Sequence, residues 1–136
     1  MNRERLFLDT AFIQAILNRR DQYHQSALKL LPLVENAQEI WTTEAILMEI
    51  GNALSRFDRA KVVNFIKQCY TTENIKVVNV TPELFREGLI LYESRQDKQW
   101  GLIDCISFSL MIAQNITDAL TSDRHFVQAG FNALLI

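Results

Sequence analysis

The chain is predicted to form one α/β domain spanning 1–136. Its central sheet should be mainly parallel, of four to five strands, flanked by helices on both faces. Three observations carry this. At 136 residues there is room for one sizeable core and no second one. A hydrophobic fraction of 49% against 22% charged residues belongs to a globular chain and not to a disordered one. Short apolar or β-branched runs alternate with longer stretches of helical spacing, in the order β-αα-β-αα-β-αα-β-β, and such alternation implies crossover connections between parallel strands.

The elements follow in order. Arg5-Leu-Phe-Leu-Asp9 is a short strand ending at an acid, and 11–19 has helical spacing through Phe12, Ile13, Ile16 and Leu17. A second helix runs from about Asp21, with Ala27, Leu28, Leu31 and Val34 at helical intervals; Pro32 inside it is expected to kink or divide it. Ile40-Trp-Thr-Thr43 is a strand handing over to a helix at 44–56, and Asp58 opens another carrying Val62, Val63, Phe65, Ile66 and Tyr70. Ile75-Lys-Val-Val-Asn-Val80 is the clearest strand, being rich in β-branched residues. Thr81-Pro82 then supplies a hydroxyl cap and a first-turn proline for a helix reaching about Arg95. The almost wholly apolar helix at 102–114 should lie centrally in the core. Ala119-Leu-Thr-Ser122 is a fourth strand and 131–135 a candidate fifth. Sheets of this kind bind ligands beyond the carboxyl ends of their strands, near a topological switch point.

Composition excludes several classes. Fourteen Lys and Arg against sixteen Asp and Glu leave a net charge of −2, which disfavours a protein that grips nucleic acid through bulk positive charge. No apolar stretch approaches the ~20 residues that span a bilayer, and the N-terminal residues lack a signal-peptide core, so a cytoplasmic chain is expected. Cys69 and Cys105 stand outside any CxxC pattern and are read as buried free thiols of a reducing compartment. His24 and His125 lack zinc-ligand spacing.

Four acids occupy unusual places. Asp9 and Asp123 each follow a strand, where either could cap the next helix; if the two strands are neighbours, the carboxylates converge. Glu49 has no basic residue one helical turn away, yet shares a face with Asn52 and Arg56 that a solvated stripe would also explain. Asp104 stands in one of the most apolar helices, where an unpaired carboxylate is costly, although a first-turn position after Gly101 would satisfy it with free N–H groups. Carboxylates gathered at one crevice repel unless a cation intervenes, and oxygen ligands without His or Cys suit Mg²⁺ or Mn²⁺. Such ions clamp phosphate oxygens and activate water, so the pattern points to phosphodiester hydrolysis.

Phe7-Leu-Asp-Thr10, Met48-Glu-Ile-Gly-Asn-Ala-Leu54, Trp100-Gly-Leu-Ile-Asp-Cys-Ile-Ser-Phe108 and the run from Ala119 to Phe131 resemble the PIN-domain family. Within it the chain resembles the toxin ribonucleases of VapBC-type toxin–antitoxin pairs. The resemblance implies a PIN-like (Rossmann-like) fold and a Mg²⁺- or Mn²⁺-dependent endoribonuclease leaving a 5′-phosphate and a 3′-hydroxyl. By motif, Asp9, Glu49, Asp104 and Asp123 match the family's acidic quartet. Asp9, Asp104 and Asp123 would hold metal directly or through water, while Glu49 would ligand a second ion or orient the attacking water. Thr10, Ser122 and Asp97 match secondary positions. Gly101 and Ile103 stand where many relatives carry hydroxyls, which would alter metal affinity.

Partners follow from the same reading: RNA as substrate, a small antitoxin protein, and a second copy of the chain as homodimer. Arg3, Arg5, Arg19, Arg20, Arg95, Lys98 and Arg124 are candidate RNA contacts, equally readable as solvated surface charge. Trp41 and Trp100 are candidates for base stacking, against the commoner role of Trp in cores. An apolar surface along 11–34 would receive the antitoxin or the second copy, unless it only faces the sheet. A catalytically silent RNA- or protein-binding module of the same fold is the alternative. A phosphoacceptor domain is disfavoured because no second acid adjoins Asp9.

Overall fold

A computed structural model describes residues 4–136. Its strands are β1 (Arg5–Leu8), β2 (Glu39–Thr43), β3 (Ile75–Val78), β4 (Asp118–Leu120) and β5 (Asn132–Ala133). They form one sheet in the order β3-β2-β1-β4-β5, with every neighbouring pair parallel. In the central strand Leu6 pairs with Ile40 on one side and Asp118 on the other, and Leu8 pairs with Leu120. Leu6, Phe7 and Leu8 are all buried, the continuous apolar run required of a strand covered on both faces.

The helices are α1 (Thr10–Leu17), α2 (His24–Glu35), α3 (Glu44–Thr71), α4 (Pro82–Ser94), α5 (Leu102–Gln114) and α6 (Arg124–Gln128). Within α3 the backbone leaves the helical region at Asp58 (φ −164°, ψ 95°), and the Asp58 carboxylate accepts the Lys61 N–H. The two helices expected there meet at that residue. Thr81 caps α4 through the Leu84 N–H, as its sequence position requires. Phe108 centres the core: its ring lies 5.0 Å from Phe126, 5.1 Å from Trp100 and 5.6 Å from Phe131. Gly88 lets α4 lie close on α5, since a Cβ there would come within 2.5 Å of Ile106. Cys69 and Cys105 are buried free thiols, with burial pushing both thiol pKa values up. No helix among the described residues is long and apolar enough to cross a membrane.

Three expectations need correction. Pro32 does not divide α2. The carbonyl of Leu28, deprived of a proline N–H, lies on an exposed side of the helix, and the helix closes one turn later where the Asn36 N–H and side chain both bond the Pro32 carbonyl. That helix begins at His24 and not near Asp21, because the Asp21 carboxylate accepts the Tyr23 N–H in a preceding turn. Finally, a helix separates the last two strands: Asp123 caps α6 by accepting the His125 N–H, so the element order carries α6 between β4 and β5.

Candidate metal centre

The strand order dictates where the site forms. From β1 the chain moves to β2 on one side and returns only with β4 on the other, so the helices diverge beyond the carboxyl ends of β1 and β4. Asp9 is the first residue after β1, and Asp123 follows β4 by three residues. Glu49 reaches the same opening from the second turn of α3, and Asp104 from the first turn of α5. Together they line one crevice of about 450 Å³, with Thr10, Gln14 and Asn52 on its walls. The structure thus brings all four predicted acids together.

Each carboxylate is held by one oxygen. Thr121 donates its hydroxyl to Asp9 Oδ2 (2.7 Å) and Thr10 donates to Glu49 Oε1 (2.8 Å). The Gly101 N–H donates to Asp104 Oδ2 (3.1 Å), and the His125 N–H to Asp123 Oδ1 (2.9 Å). The second oxygens (Asp9 Oδ1, Glu49 Oε2, Asp104 Oδ1 and Asp123 Oδ2) have no side-chain donor among the described residues. Nor does any described Lys or Arg lie within 4.0 Å of the four acids. Asp104 therefore meets both of its alternative descriptions: a first-turn residue satisfied by a backbone N–H, and a member of the crevice.

The electrostatics reflect that arrangement. Asp9 is only 7% exposed, and burial pushes its pKa up to about 7. The Thr121 hydroxyl and the Thr10 N–H pull it down, while the charges of Glu49 and Asp123 add to the rise. Burial also raises Glu49, against the Thr10 hydroxyl and with help from Asp104 and Asp123. Without a cation the crevice holds negative charge under protest. A divalent ion would remove both the repulsion and the desolvation penalty, and the oxygen-rich donor set suits one.

The remaining predicted residues divide. Thr10 lines the crevice and fixes Glu49, but Ser122 does not line it. The hydroxyl that bonds the acids is that of Thr121, which donates to Asp9 and accepts the Asp123 N–H (3.0 Å), tying two acids together. β4 ends at Leu120, two residues before the expected boundary, and this puts Thr121 in the linking position. Asp97 stays outside: it forms a forked pair with Arg95 at 3.0 Å and lies exposed at the α4–α5 loop. Arg56 is likewise exposed and does not line the crevice that Glu49 and Asn52 share. His125 enters unannounced, its Nδ1 lying 3.0 Å from Asp104 Oδ2 and 3.4 Å from Asp123 Oδ1, so the acid cluster is not free of histidine.

Among the basic and aromatic candidates, Arg3 lies outside the described residues. Arg5 is committed to Glu39 and to the Gln114 carbonyl at the opposite end of the sheet. Arg95 and Lys98 both approach Asp97, whereas Arg19, Arg20 and Arg124 are exposed. Trp100 is buried with its N–H on Gln128, and Trp41 bonds Glu39 under the Arg5 guanidinium. Both tryptophans pack rather than present a free face for a base.

Residues 6–132, from the central strand to the last and including all four acids, match the PIN domain model, and the chain belongs to the PIN domain family. It is similar to the 23S rRNA-specific endonuclease VapC20 of Mycobacterium tuberculosis, with 27% identity over 128 residues covering 93% of this chain and 95% of that one. The crystal structure of the M. tuberculosis protein VapC20, a sarcin-ricin loop cleaving toxin, superimposes with a TM-score of 0.81 at 23% identity over 93% of this chain and 95% of that one. VapBC2 from Rickettsia felis, bound to a DNA fragment from their promoter, gives 0.64 at 15% identity over 95% and 96% of the two chains. The shared fold includes the five-stranded parallel sheet and its flanking helices.

Proposed function

We propose that the protein is a metal-dependent endoribonuclease of the VapC type, the toxin of a toxin–antitoxin pair. The observation that carries this reading is the crevice itself: four carboxylates, each with one oxygen fixed by the protein and, among the described residues, one without a side-chain donor and no Lys or Arg to neutralise them. Asp9, Asp104 and Asp123 would hold Mg²⁺ or Mn²⁺, with Glu49 at the rim of the same site. A bound ion supplies a Lewis acid for phosphate oxygens and lowers the pKa of its water toward neutrality. Asp9 must give up its proton before it can serve as a ligand, and Thr121 favours that ionised form. Glu49, fixed by Thr10, orients the attacking water and receives its proton.

RNA is the substrate, and 23S rRNA, the target in the name of the M. tuberculosis relative, is the first to test. The likeness to an endonuclease speaks against a catalytically silent module. A small antitoxin is the proposed protein partner, seated against the apolar cavity of about 210 Å³ where Ile16 and Leu17 of α1, Val34 of α2 and Phe65 of α3 converge. Free of it, the toxin is proposed to work as a homodimer in the cytoplasm.

The test is cleavage of 23S rRNA by the purified protein with Mg²⁺ or Mn²⁺, with and without chelator. Cleavage is expected to vanish with chelator and to fall by about 10²–10³-fold in Asp9→Asn. Chelator-insensitive cleavage would overturn the metal mechanism, and an inert wild-type protein with several RNAs would overturn the nuclease.

A further inference from the structure

The short helix α6 presents two side chains toward the start of α5. His125 Nδ1 lies 3.0 Å from Asp104 Oδ2, and three residues on, Gln128 Oε1 accepts the Trp100 N–H at 3.0 Å. Positions three apart share a helix face. Beneath them Phe126 is fully buried and packs edge-on against Phe108 of α5, which fixes the helix to the core. The same helix is capped by Asp123. Its geometry therefore decides how far Asp123 stands from Asp104, two acids that arrive 19 positions apart in the chain.

His125 touches the oxygens that already have donors. Asp104 Oδ2 takes the Gly101 N–H, and Asp123 Oδ1 takes the His125 backbone N–H. Among the described residues no side chain donates to Asp104 Oδ1 or Asp123 Oδ2. An ionised carboxylate oxygen only accepts, so the 3.0 Å contact puts a proton on Nδ1. A nitrogen carrying that proton has no lone pair to offer an ion, and the lone pair of Nε2 points away from the oxygen that Nδ1 meets.

We infer that His125 is a positioning residue of the metal centre, donating from Nδ1 to hold Asp104 beside Asp123 and turn their remaining oxygens to a common cation, and is not itself a ligand. This rests on the metal reading of the crevice and goes beyond it by assigning the residue that sets the spacing of two ligands. Outer hydrogen-bond partners of this kind change metal affinity by about 10–100-fold when removed.

The experiment reads metal binding and not cleavage. Mn²⁺ affinity is measured by calorimetry for wild type, His125→Phe and His125→Asn, with melting of each metal-free protein recorded alongside. His125→Phe should bind Mn²⁺ about 10–100-fold more weakly. His125→Asn, whose amide can donate from nearly the same place, should recover most of that loss, a rescue that a purely structural role would not show. Equal affinity in all three proteins overturns the inference. In the second arm, pulsed electron paramagnetic resonance of Mn²⁺-loaded wild type should show no directly coordinated nitrogen; strong ¹⁴N modulation makes His125 a ligand and also overturns it. That arm needs only wild-type protein, and with the His125→Asn affinity it keeps the inference open to refutation even if His125→Phe does not fold. Wild type that binds no Mn²⁺ overturns this inference together with the metal reading. A protein that binds Mn²⁺ but cleaves no RNA contradicts the nuclease alone.

Discussion

The two ends of the sheet both gather acids, and they treat them in opposite ways. At the amino end a polar depression of about 630 Å³ is bordered by Glu35, Glu39, Glu73 and Lys76. It is larger than the crevice at the carboxyl end. Its innermost acid is answered on every side: Arg5 Nε lies 2.7 Å from Glu39, the Trp41 N–H donates at 3.1 Å, and Lys76 adds charge. Those partners hold Glu39 below the usual carboxylate range. At the carboxyl end Asp9 is buried with no cationic side chain in contact among the described residues, and its pKa rises to about 7. The number of acids does not mark the site. Uncompensated burial does, because a fold tolerates that penalty where a ligand will remove it.

Removing the uncompensated charge should have the largest effect. Asp9→Asn is expected to lower RNA cleavage by about 10²–10³-fold in gel assays with Mn²⁺. The same change should make the metal-free protein more stable at neutral pH. The folded-state pKa of about 7 lies above the ordinary aspartate value of 3.8, so between these values the folded chain binds the extra proton. Stability from this group is complete below pH 3.8 and is lost as pH rises through 7, by at most about 1.4 kcal/mol per pH unit. The melting temperatures of wild type and Asp9→Asn should therefore diverge between pH 4.5 and pH 7.5, with the variant higher. A constant difference across that range would remove the contrast between the two ends.

Weaker perturbations sharpen it. Thr121→Val keeps the shape but withdraws the donor from Asp9, and should weaken Mn²⁺ binding about tenfold in calorimetry. It should also cost about 1–3 kcal/mol in denaturant unfolding, since a buried acceptor loses its partner. At the amino end Glu39→Gln breaks a partly exposed pair and should cost only about 0.2–1 kcal/mol, with cleavage unchanged. Asp97→Asn, in the exposed Arg95 pair, should leave cleavage within about twofold.

Legibility in the sequence followed how local each determinant is. The limits of α5 were readable because Gly101 precedes it and Asn115 ends it in the left-handed region (φ 56°). The four acids were readable because each sat against its context, at a strand end or among apolar neighbours. Thr121 was missed in favour of Ser122 because the choice turns on where β4 stops, and the Thr121 N–H bonds back to the Ala119 carbonyl just past that point. His125 was missed because its partner is 21 residues away. Asp97 lies outside the crevice for the opposite reason: its partner Arg95 is two residues off, and that local pair holds it at the exposed α4–α5 loop.

The placement of β4 beside β1 has a temporal consequence. Asp9 leaves the ribosome before Leu120, whose carbonyl takes its N–H, and before the Thr121 hydroxyl and Asp123, all more than a hundred residues later in the chain. Until synthesis passes that point a nascent chain can bury hydrophobic surface and pair β1 with β2, yet it has only part of a cation site. A cation site built this way stays incomplete until the chain past Asp123 has been made and docked.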